Sequence, residues 1–319
     1  MAAISSPKNW FTAHTATSSD QRSMAAMRGM VESDKGKLQG IAAREPFDGI
    51  MGGVAAPEGV TFDSDTVGGV AGWWCRPADA PQRTAILHIH GGWFTWGSAQ
   101  AFRHLVGHIA RQARVAAFVP DYRLAPEHPF PAALEDVEAS YWALLDRGIQ
   151  RIALSGDSAG GNLALAFLAR IMAQSSSGAM RTPVAAVVLS PVTDLTLGSS
   201  SWETRATADP YFTRPQAAEL IRAYLNGHGS SDPDASPLFG TLAGLPPIRV
   251  HVGDDEVLLE DSRRYVECAV AADVDAKLDV WMGMPHGFLG GIGKLEAAAE
   301  VLKAIGQFLS EQLAVARPM

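Results

Sequence analysis

The sequence predicts an α/β fold in which helices flank a mostly parallel sheet of eight strands. Two observations support this prediction. From about residue 84 onward, short apolar runs alternate with longer segments of helical periodicity, and such alternation implies crossover connections between parallel strands. The composition, with 47% apolar and 19% charged residues among 319, is that of a globular chain able to bury a substantial core. We therefore expect one large α/β domain with an appended segment.

The first 50 residues follow a different pattern, with weak helical periodicity and no strand signal. The clearest helix is Asp20 to Val31, where Met24, Met27 and Met30 recur at intervals of three. We expect this segment to form helices outside the sheet. We expect its methionines to serve ordinary packing, with a lid over an apolar pocket as the alternative that flexible methionine side chains also suit.

Strand-like segments begin at Val60. The first two lie on either side of a Gly68-Gly69 turn and predict antiparallel strands at one edge of the sheet. The last, Leu278 to Trp281, is also predicted at an edge. The eight predicted strands are Val60 to Phe62, Val70 to Cys75, Thr84 to His90, Val115 to Val119, Ile152 to Ser155, Val184 to Leu189, Ile248 to Val252 and Leu278 to Trp281. The helices predicted between the later strands include Ala132 to Leu145, Ser158 to Met172, Asp261 to Ala272 and Leu295 to Leu313.

The charge and the metal-binding residue types narrow the function classes. The chain has 26 basic and 34 acidic residues, a net charge of −8, and no basic stripe that would bind nucleic acid or an anionic membrane surface. Cys75 and Cys268 lie far apart without metal-ligand spacing, which predicts free, buried thiols in a reducing compartment. His104 and His108 share one helix face but have no acidic or cysteine partner beside them. We therefore expect no nucleic-acid partner and no metal site.

The sequence carries no membrane or export signal. No apolar run approaches the length needed to span a bilayer. The stretch from Met1 to Lys8 lacks a basic region followed by an apolar one. We expect a cytoplasmic protein that does not bind a membrane.

One short stretch carries the strongest chemical signal. The apolar run Ile152 to Ser155 breaks at Gly156-Asp157-Ser158-Ala159-Gly160 and continues into a helix. A strand, a Gly-x-Ser-x-Gly turn and a helix form a nucleophile elbow, which holds a serine hydroxyl at the positive end of the helix. Glycines flank the serine because the strained turn leaves no room for a Cβ. We predict Ser158 as a nucleophile and expect Asp157 to brace the turn through hydrogen bonds.

A second glycine-rich turn follows another buried strand. The run that ends at His90 leads directly into Gly91-Gly92-Trp93. Glycines at this position let backbone N–H groups face a pocket, as stabilising the oxyanion of an acyl-transfer intermediate requires. This turn is therefore a candidate oxyanion hole.

An acid and a histidine should follow the serine in that order. His286 follows a predicted strand, lies in a loop suited to a mobile imidazole, and precedes the last long helix. The acid, which would orient the imidazole, should follow the strand Ile248 to Val252. Three consecutive carboxylates are found there: Asp254, Asp255 and Glu256.

The chain contains four motifs in this order: His90-Gly91-Gly92-Trp93, Asp121 to Glu127, Gly156 to Gly161 and Met284 to Phe288. Together they resemble the motifs of the hormone-sensitive-lipase family of α/β-hydrolase esterases, over roughly Thr84 to the C-terminus. The family places its acid in the pattern acid, any residue, leucine, and Glu256-Val257-Leu258 matches that spacing. Asp255 is the alternative, because aspartate is the commoner acid in the family. The resemblance also implies a helical cap drawn from the N-terminus and from the region after the sixth strand.

The chain departs from the family where Trp93 replaces the usual third glycine. Because the family's oxyanion donors are backbone N–H groups, the substitution need not remove a donor. We expect the indole instead to shape the substrate pocket, together with Tyr211 and Phe212. The implied oxyanion hole comprises Gly91, Gly92, Trp93 and Ala159.

The resemblance implies a serine carboxylesterase for small esters with short acyl groups, without a cofactor. Ser158 would attack the ester carbonyl, His286 would take its proton, and Glu256 would hold the imidazole. A lactone hydrolase would use the same groups. The same scaffold would also suit a serine peptidase or a non-catalytic small-ligand receptor.

The resemblance also implies the domain organisation. Residues 1–50 would form an N-terminal cap segment, and residues 51–319 the catalytic domain, with a further cap segment at about 198–230. We expect a homodimer, because an edge strand at Leu278 to Trp281 would leave backbone groups unpaired.

Overall fold

The structure is a computed structural model that describes residues 10–174 and 182–314. Within these residues, one nine-stranded sheet forms the centre of the fold. The strand order across the sheet is β1-β9-β8-β7-β6-β4-β5-β3-β2. In chain order the strands are β1 (Phe11–His14), β2 (Val60–Val67), β3 (Val70–Pro77), β4 (Thr84–Ile89), β5 (Ala117–Pro120), β6 (Arg151–Asp157), β7 (Ala186–Leu189), β8 (Ile248–Gly253) and β9 (Ala276–Trp281).

The pairing confirms the mostly parallel sheet with an antiparallel edge. Every pair from β1 across to β5 is parallel. Only β3 runs antiparallel, to both β2 and β5. Parallel strands connected by helices bring their carboxyl ends to one edge of the sheet, where ligands bind in such folds.

Helices cover both faces of the sheet, as the alternation of strands and helices predicts. The side chains of Leu87 and Ile89 on β4 enter a core with the helices of one face, while Ile86 enters a second core on the other face. Helices α4 (Ala132–Asp146) and α5 (Ala159–Gln174) pack on the first face. Helices α3 (Ala99–Ala113) and α9 (Glu296–Ala314) pack on the second. The helices of the described residues are α1 (Ser18–Val31), α2 (Arg44–Met51), α3 (Ala99–Ala113), α4 (Ala132–Asp146), α5 (Ala159–Gln174), α6 (Ser201–Thr204), α7 (Arg214–Leu225), α8 (Leu259–Ala271) and α9 (Glu296–Ala314).

The ninth strand, β1, corrects two predictions. The sequence predicts only helices in the N-terminal segment, yet Phe11–His14 pairs in parallel with β9, with His14 opposite Trp281. The His14 ring stacks on the Trp281 ring at 3.9 Å, and its Nε2 lies 2.7 Å from Asp279 Oδ1. These partners are distant in sequence, so a local pattern in a short exposed strand could not reveal them. The strand Leu278 to Trp281 is therefore interior, and β1 forms the edge.

The N-terminal segment is held against the sheet domain by polar contacts. The carboxylate of Asp20 on α1 accepts the backbone N–H groups of Glu296 and Ala297, both at 2.9 Å, and so caps α9. Arg44 on α2 donates to the carbonyl oxygens of Thr95 and Ala125, and pairs with Glu127 at 2.7 Å. These contacts position α1 and α2 beside the carboxyl ends of the strands.

None of the helices within residues 10–174 and 182–314 is long and apolar enough to cross a membrane. The prediction made from Met1 to Lys8 concerns residues outside the described part of the chain.

Candidate active site

The serine predicted as nucleophile sits on a strained turn between β6 and α5. Ser158 has a φ of +56°, in the left-handed region that residues with a Cβ rarely adopt. A Cβ on Gly160 would lie 2.0 Å from the carbonyl oxygen of Ile89, and one on Gly156 would lie 2.5 Å from that of Gly160. Both flanking positions therefore require glycine, as the elbow predicts. The turn leaves Ser158 at the carboxyl end of the central strands.

Glu256 is the carboxylate that meets the imidazole. Its Oε2 lies 2.8 Å from Nδ1 of His286. Its Oε1 accepts the hydroxyl of Ser190 and the backbone N–H of Gly253, both at 2.7 Å. Because a carboxylate only accepts, Nδ1 of His286 carries a proton, which leaves Nε2 available as a base. The fully buried Glu256 thus has both oxygens occupied and a fixed orientation.

Asp255, the alternative acid, faces elsewhere. Its carboxylate pairs with the guanidinium of Arg28 on α1 at 2.5 Å. Asp254, the first of the three carboxylates, accepts the backbone N–H of Gly283 and so ties the acid loop to the loop that carries His286. Within the described residues, Glu256 is the only one of these three carboxylates that lies within hydrogen-bonding distance of the His286 imidazole.

The surroundings of His286 favour its charged form. Burial by itself lowers the pKa of His286, but the charge and hydrogen bond of Glu256, together with the charges of Asp209 and Asp157, outweigh it. The net pKa of His286 is raised above its ordinary value. An imidazole that gains stability on protonation is suited to take a proton from a neighbouring hydroxyl.

The turn after β4 offers backbone donors, with one correction to the prediction. The N–H of Gly91 donates to Asp157 Oδ1 at 3.1 Å, so Gly91 has no free donor for an oxyanion. Within the described residues, no hydrogen bond is donated by the N–H of Gly92 or Trp93. The N–H of Ala159 belongs to the first turn of α5, where N–H groups have no partner within the helix. Three of the four predicted donors therefore remain available.

Asp157 braces the elbow, as expected from the sequence. Besides accepting from Gly91, its Oδ1 lies 3.5 Å from Nε2 of the buried His88. His88 in turn places Nδ1 3.1 Å from the hydroxyl of Ser155. These contacts link the elbow to β4 and to the turn that follows it.

Ser158 and His286 line one largely apolar cavity of about 180 Å³. The three residues predicted to bind substrate, Trp93, Tyr211 and Phe212, all line it as well. Other walls come from the N-terminal segment and from the turn after β4: Leu38, Phe47, Ile50, Met51 and Trp96. A larger open depression of about 610 Å³, beside Arg111 and Arg114, contains none of these residues.

Aromatic rings form the deep wall of this cavity. The Trp93 indole is 1% exposed, and its ring centroid lies 5.4 Å from that of Phe212 and 6.3 Å from that of Trp202. Phe212 also packs edge-on against the His286 ring at 5.1 Å. A glycine at position 93 would leave the volume of the indole open.

The described residues contain no group of three or more histidine, cysteine or acidic side chains arranged to hold a metal ion. His104 and His108 lie 2.9 Å from the backbone carbonyl oxygens of Val54 and Ala55, respectively. Cys75 is a free, buried thiol whose pKa is raised by burial. These residues connect structural elements away from Ser158. Cys268 is also free, but it is exposed, so the prediction that both thiols are buried is wrong for Cys268.

Two polar residues of the site were not assigned a part in the chemistry from the sequence. Ser190 follows β7 and supports Glu256, and Asp209 accepts the N–H of Val257, next to Glu256. The signal for Ser190 was its place at the end of a strand adjacent to the elbow strand, because the carboxyl ends of parallel strands meet. Asp209 had no such signal, since its loop joins the site only through long-range contacts.

Comparisons with known proteins agree with this fold. A family model described as the α/β-hydrolase fold matches residues 86–290, well over half of the chain. An acetyl-hydrolase of Streptomyces hygroscopicus is 37% identical over 246 residues, which span 76% of this chain and 78% of that protein. An esterase of Acinetobacter venetianus is 38% identical over 234 residues, spanning 72% of this chain and 76% of that protein.

Solved structures extend the similarity to nearly the whole chain. The crystal structure of an esterase from the bacterial hormone-sensitive lipase family superposes with a TM-score of 0.86 at 35% identity, covering 94% of this chain and all of that one. A hormone-sensitive lipase from a metagenome library gives a TM-score of 0.85 at 32% identity with the same coverage.

Proposed function

Because this chain belongs to the hormone-sensitive-lipase family of α/β-hydrolase esterases and is a carboxylic ester hydrolase, we propose that it hydrolyses short-chain esters through an acyl-enzyme on Ser158. The observation that supports this most is the bond between Glu256 and His286 in the cavity that Ser158 lines. The chemistry needs no cofactor.

The proposed mechanism begins with proton transfer from the Ser158 hydroxyl to Nε2 of His286. The serine oxygen attacks the ester carbonyl, and Glu256 stabilises the imidazolium that forms. The N–H groups of Gly92, Trp93 and Ala159 stabilise the oxyanion. The imidazolium then protonates the departing alcohol, and water attacks the acyl-enzyme by the same route.

The size and polarity of the cavity support short acyl groups as substrates. Its volume of about 180 Å³ lies below the roughly 300–1,000 Å³ typical of pockets for drug-sized ligands. Its walls are mainly aromatic and aliphatic, so an uncharged acyl chain would bind better than a charged one. A lactone of similar size could react by the same steps and is the alternative substrate class.

We expect Trp93→Gly to shift substrate preference while retaining catalysis. The backbone N–H at position 93 does not depend on the indole, so kcat/KM for an acetate ester should stay within about tenfold of wild type. Removing the indole opens the wall shared with Phe212 and Trp202. Selectivity should move toward bulkier esters by about 1–3 kcal/mol. The measurement is kcat/KM for acetate, butyrate, octanoate and a bulky alcohol ester, with a lactone and a peptide alongside.

Trp142→Phe is the matched control, since Trp142 lies on α4 and does not line the cavity. Its preference should equal that of wild type. An unchanged preference in Trp93→Gly would place the indole outside the substrate pocket. If the wild-type protein hydrolyses the lactone or the peptide faster than the esters, short-chain esters are not its substrate class.

We propose that the part of residues 1–50 that follows β1 forms an N-terminal cap segment over a catalytic domain of residues 51–319, whose sheet β1 completes, with a further cap segment at about 198–230. The cavity supports this organisation, because Leu38, Phe47 and Ile50 line it from one segment, and Tyr211 and Phe212 line it from the other.

We further propose a cytoplasmic homodimer. Free thiols at Cys75 and Cys268 fit a reducing compartment. The outer side of β1 forms the sheet edge, and Phe11 on it is 41% exposed, so this edge could pair with a second copy. Light scattering at tens of micromolar should give about twice the 33.8 kDa chain mass. A mass equal to one chain would contradict the dimer.

A further inference from the structure

A buried carboxylate outside the proposed triad, Asp209, joins two parts of the site. It lies in the loop between α6 and α7 and is 0% exposed. Its Oδ1 accepts the backbone N–H groups of Tyr211 at 2.8 Å and Phe212 at 2.9 Å. Its Oδ2 accepts the backbone N–H of Val257 at 2.9 Å. One side chain thus holds both a cavity wall and the residue that follows the catalytic acid.

The two segments held by Asp209 both contact the imidazole. Phe212 packs edge-on against the His286 ring at 5.1 Å. Glu256, adjacent to Val257, binds Nδ1 of the same ring. A shift of the Asp209 carboxylate would therefore move a packing contact and a hydrogen-bonding partner of His286 together.

Backbone N–H groups, rather than a cation, stabilise the Asp209 charge. Within residues 10–174 and 182–314, no lysine or arginine forms an ion pair with its carboxylate. The two nearby cations, Arg28 and Lys35, donate instead to the backbone carbonyl oxygens of Ala208 and of Asp209 itself, respectively. Three backbone N–H groups therefore satisfy this buried carboxylate, and its negative charge is among those that act on His286.

We propose that Asp209 is a positioning residue for the catalytic base, which aligns Phe212 and the Glu256 loop about His286 and adds a second negative charge near the imidazolium formed during catalysis. This inference rests on the proposed role of His286. It assigns Asp209 a part in the reaction besides a part in folding.

The charges around His286 support the electrostatic part of the proposal. The acidic groups that act on it are Glu256 from the loop after β8, Asp209 from the loop between α6 and α7, and Asp157 from the end of β6. Burial lowers the pKa of His286, whereas these three charges raise it. Neutralising Asp209 should therefore lower the pKa of His286.

The test compares Asp209→Asn with wild type. We expect kcat for an acetate ester to fall about tenfold or more with little change in KM, since misalignment of a catalytic group mainly affects the transition state. The acidic limb of the pH profile of kcat/KM should move to lower pH, because the base is active as the neutral imidazole and its pKa falls. Asp209→Glu, which retains the charge, should keep the limb near its wild-type position.

Asp20→Asn is the matched control. Asp20 is also a buried carboxylate that accepts backbone N–H groups, but it caps α9 and is not among the groups that act on His286. It should lose thermal stability without a change in kcat or in the acidic limb. If Asp209→Asn behaves like Asp20→Asn, Asp209 serves the fold alone and the inference is wrong.

Asp209→Ser provides a second neutral variant with a smaller side chain. Failure of both neutral variants to fold, while Asp20→Asn folds, would likewise assign Asp209 to the fold and overturn the inference. The proposed function has a separate test in Ser158→Ala. An active Ser158→Ala variant would reject the mechanism, whereas an inactive one with an unaffected Asp209→Asn would reject only the role of Asp209.

Discussion

Ser158→Ala is expected to retain less than about one per cent of the wild-type esterase activity. Without the hydroxyl no acyl-enzyme can form, and only the oxyanion hole and substrate binding remain to accelerate hydrolysis. His286→Ala should lose activity to a similar extent, because the serine then has no base. Hydrolysis of an acetate ester by purified variants, with thermal unfolding to verify folding, measures both effects.

Ser64→Ala is a suitable control, since Ser64 is exposed on β2, far from the cavity in the strand order. It should keep wild-type activity. Activity above about one per cent in Ser158→Ala, after contamination is excluded, would mean that the elbow does not carry the nucleophile.

Glu256→Gln is expected to reduce kcat by about a hundredfold or more, and far more than Asp255→Asn. The buried carboxylate of Glu256 fixes the tautomer of His286 through Nδ1 and stabilises the imidazolium, and an amide of the same shape can do neither well. Asp255→Asn removes a part-exposed ion pair with Arg28, a contact typically worth about 1 kcal/mol or less. Its effect on kcat should be less than about tenfold.

The measurement is kcat for one acetate ester in both variants at the pH optimum. A larger loss in Asp255→Asn would transfer the acid role to Asp255. Small and equal losses would leave neither carboxylate as the orienting group.

Much of the candidate site was predictable because its signals are local. The elbow needs Gly156 and Gly160 within two residues of Ser158, where any Cβ would collide with backbone. The turn after β4 is recognisable by its consecutive glycines for a similar reason. His286 was predictable from its position after the last strand. In each case a constraint on a few neighbouring residues is visible in the sequence itself.

The choice of acid required the folded chain. Asp254, Asp255 and Glu256 are neighbours with similar chemistry, and a shift of one residue in the loop would exchange their directions. What separates them is contact with distant groups: Ser190 and His286 for Glu256, and Arg28 for Asp255. No local pattern contains those contacts.

For the turn after β4, the sequence likewise could not show which backbone N–H groups are free. Gly91 and Gly92 look equivalent in the sequence, yet the N–H of Gly91 is engaged by Asp157, which lies 66 residues later in the chain. The parallel pairing of β4 with β6 brings the Gly91 N–H and the Asp157 carboxylate together.

The sequence by itself determined the mostly parallel sheet, the flanking helices and the strand-turn-helix unit that carries Ser158, because periodicity and backbone strain act over a few residues. Only the tertiary structure decided that β1 completes the sheet, that Glu256 meets the imidazole, and that Asp209 connects the cavity wall to the acid loop. Each of these depends on hydrogen bonds between segments far apart in the chain, and such bonds form only where folding brings both partners together.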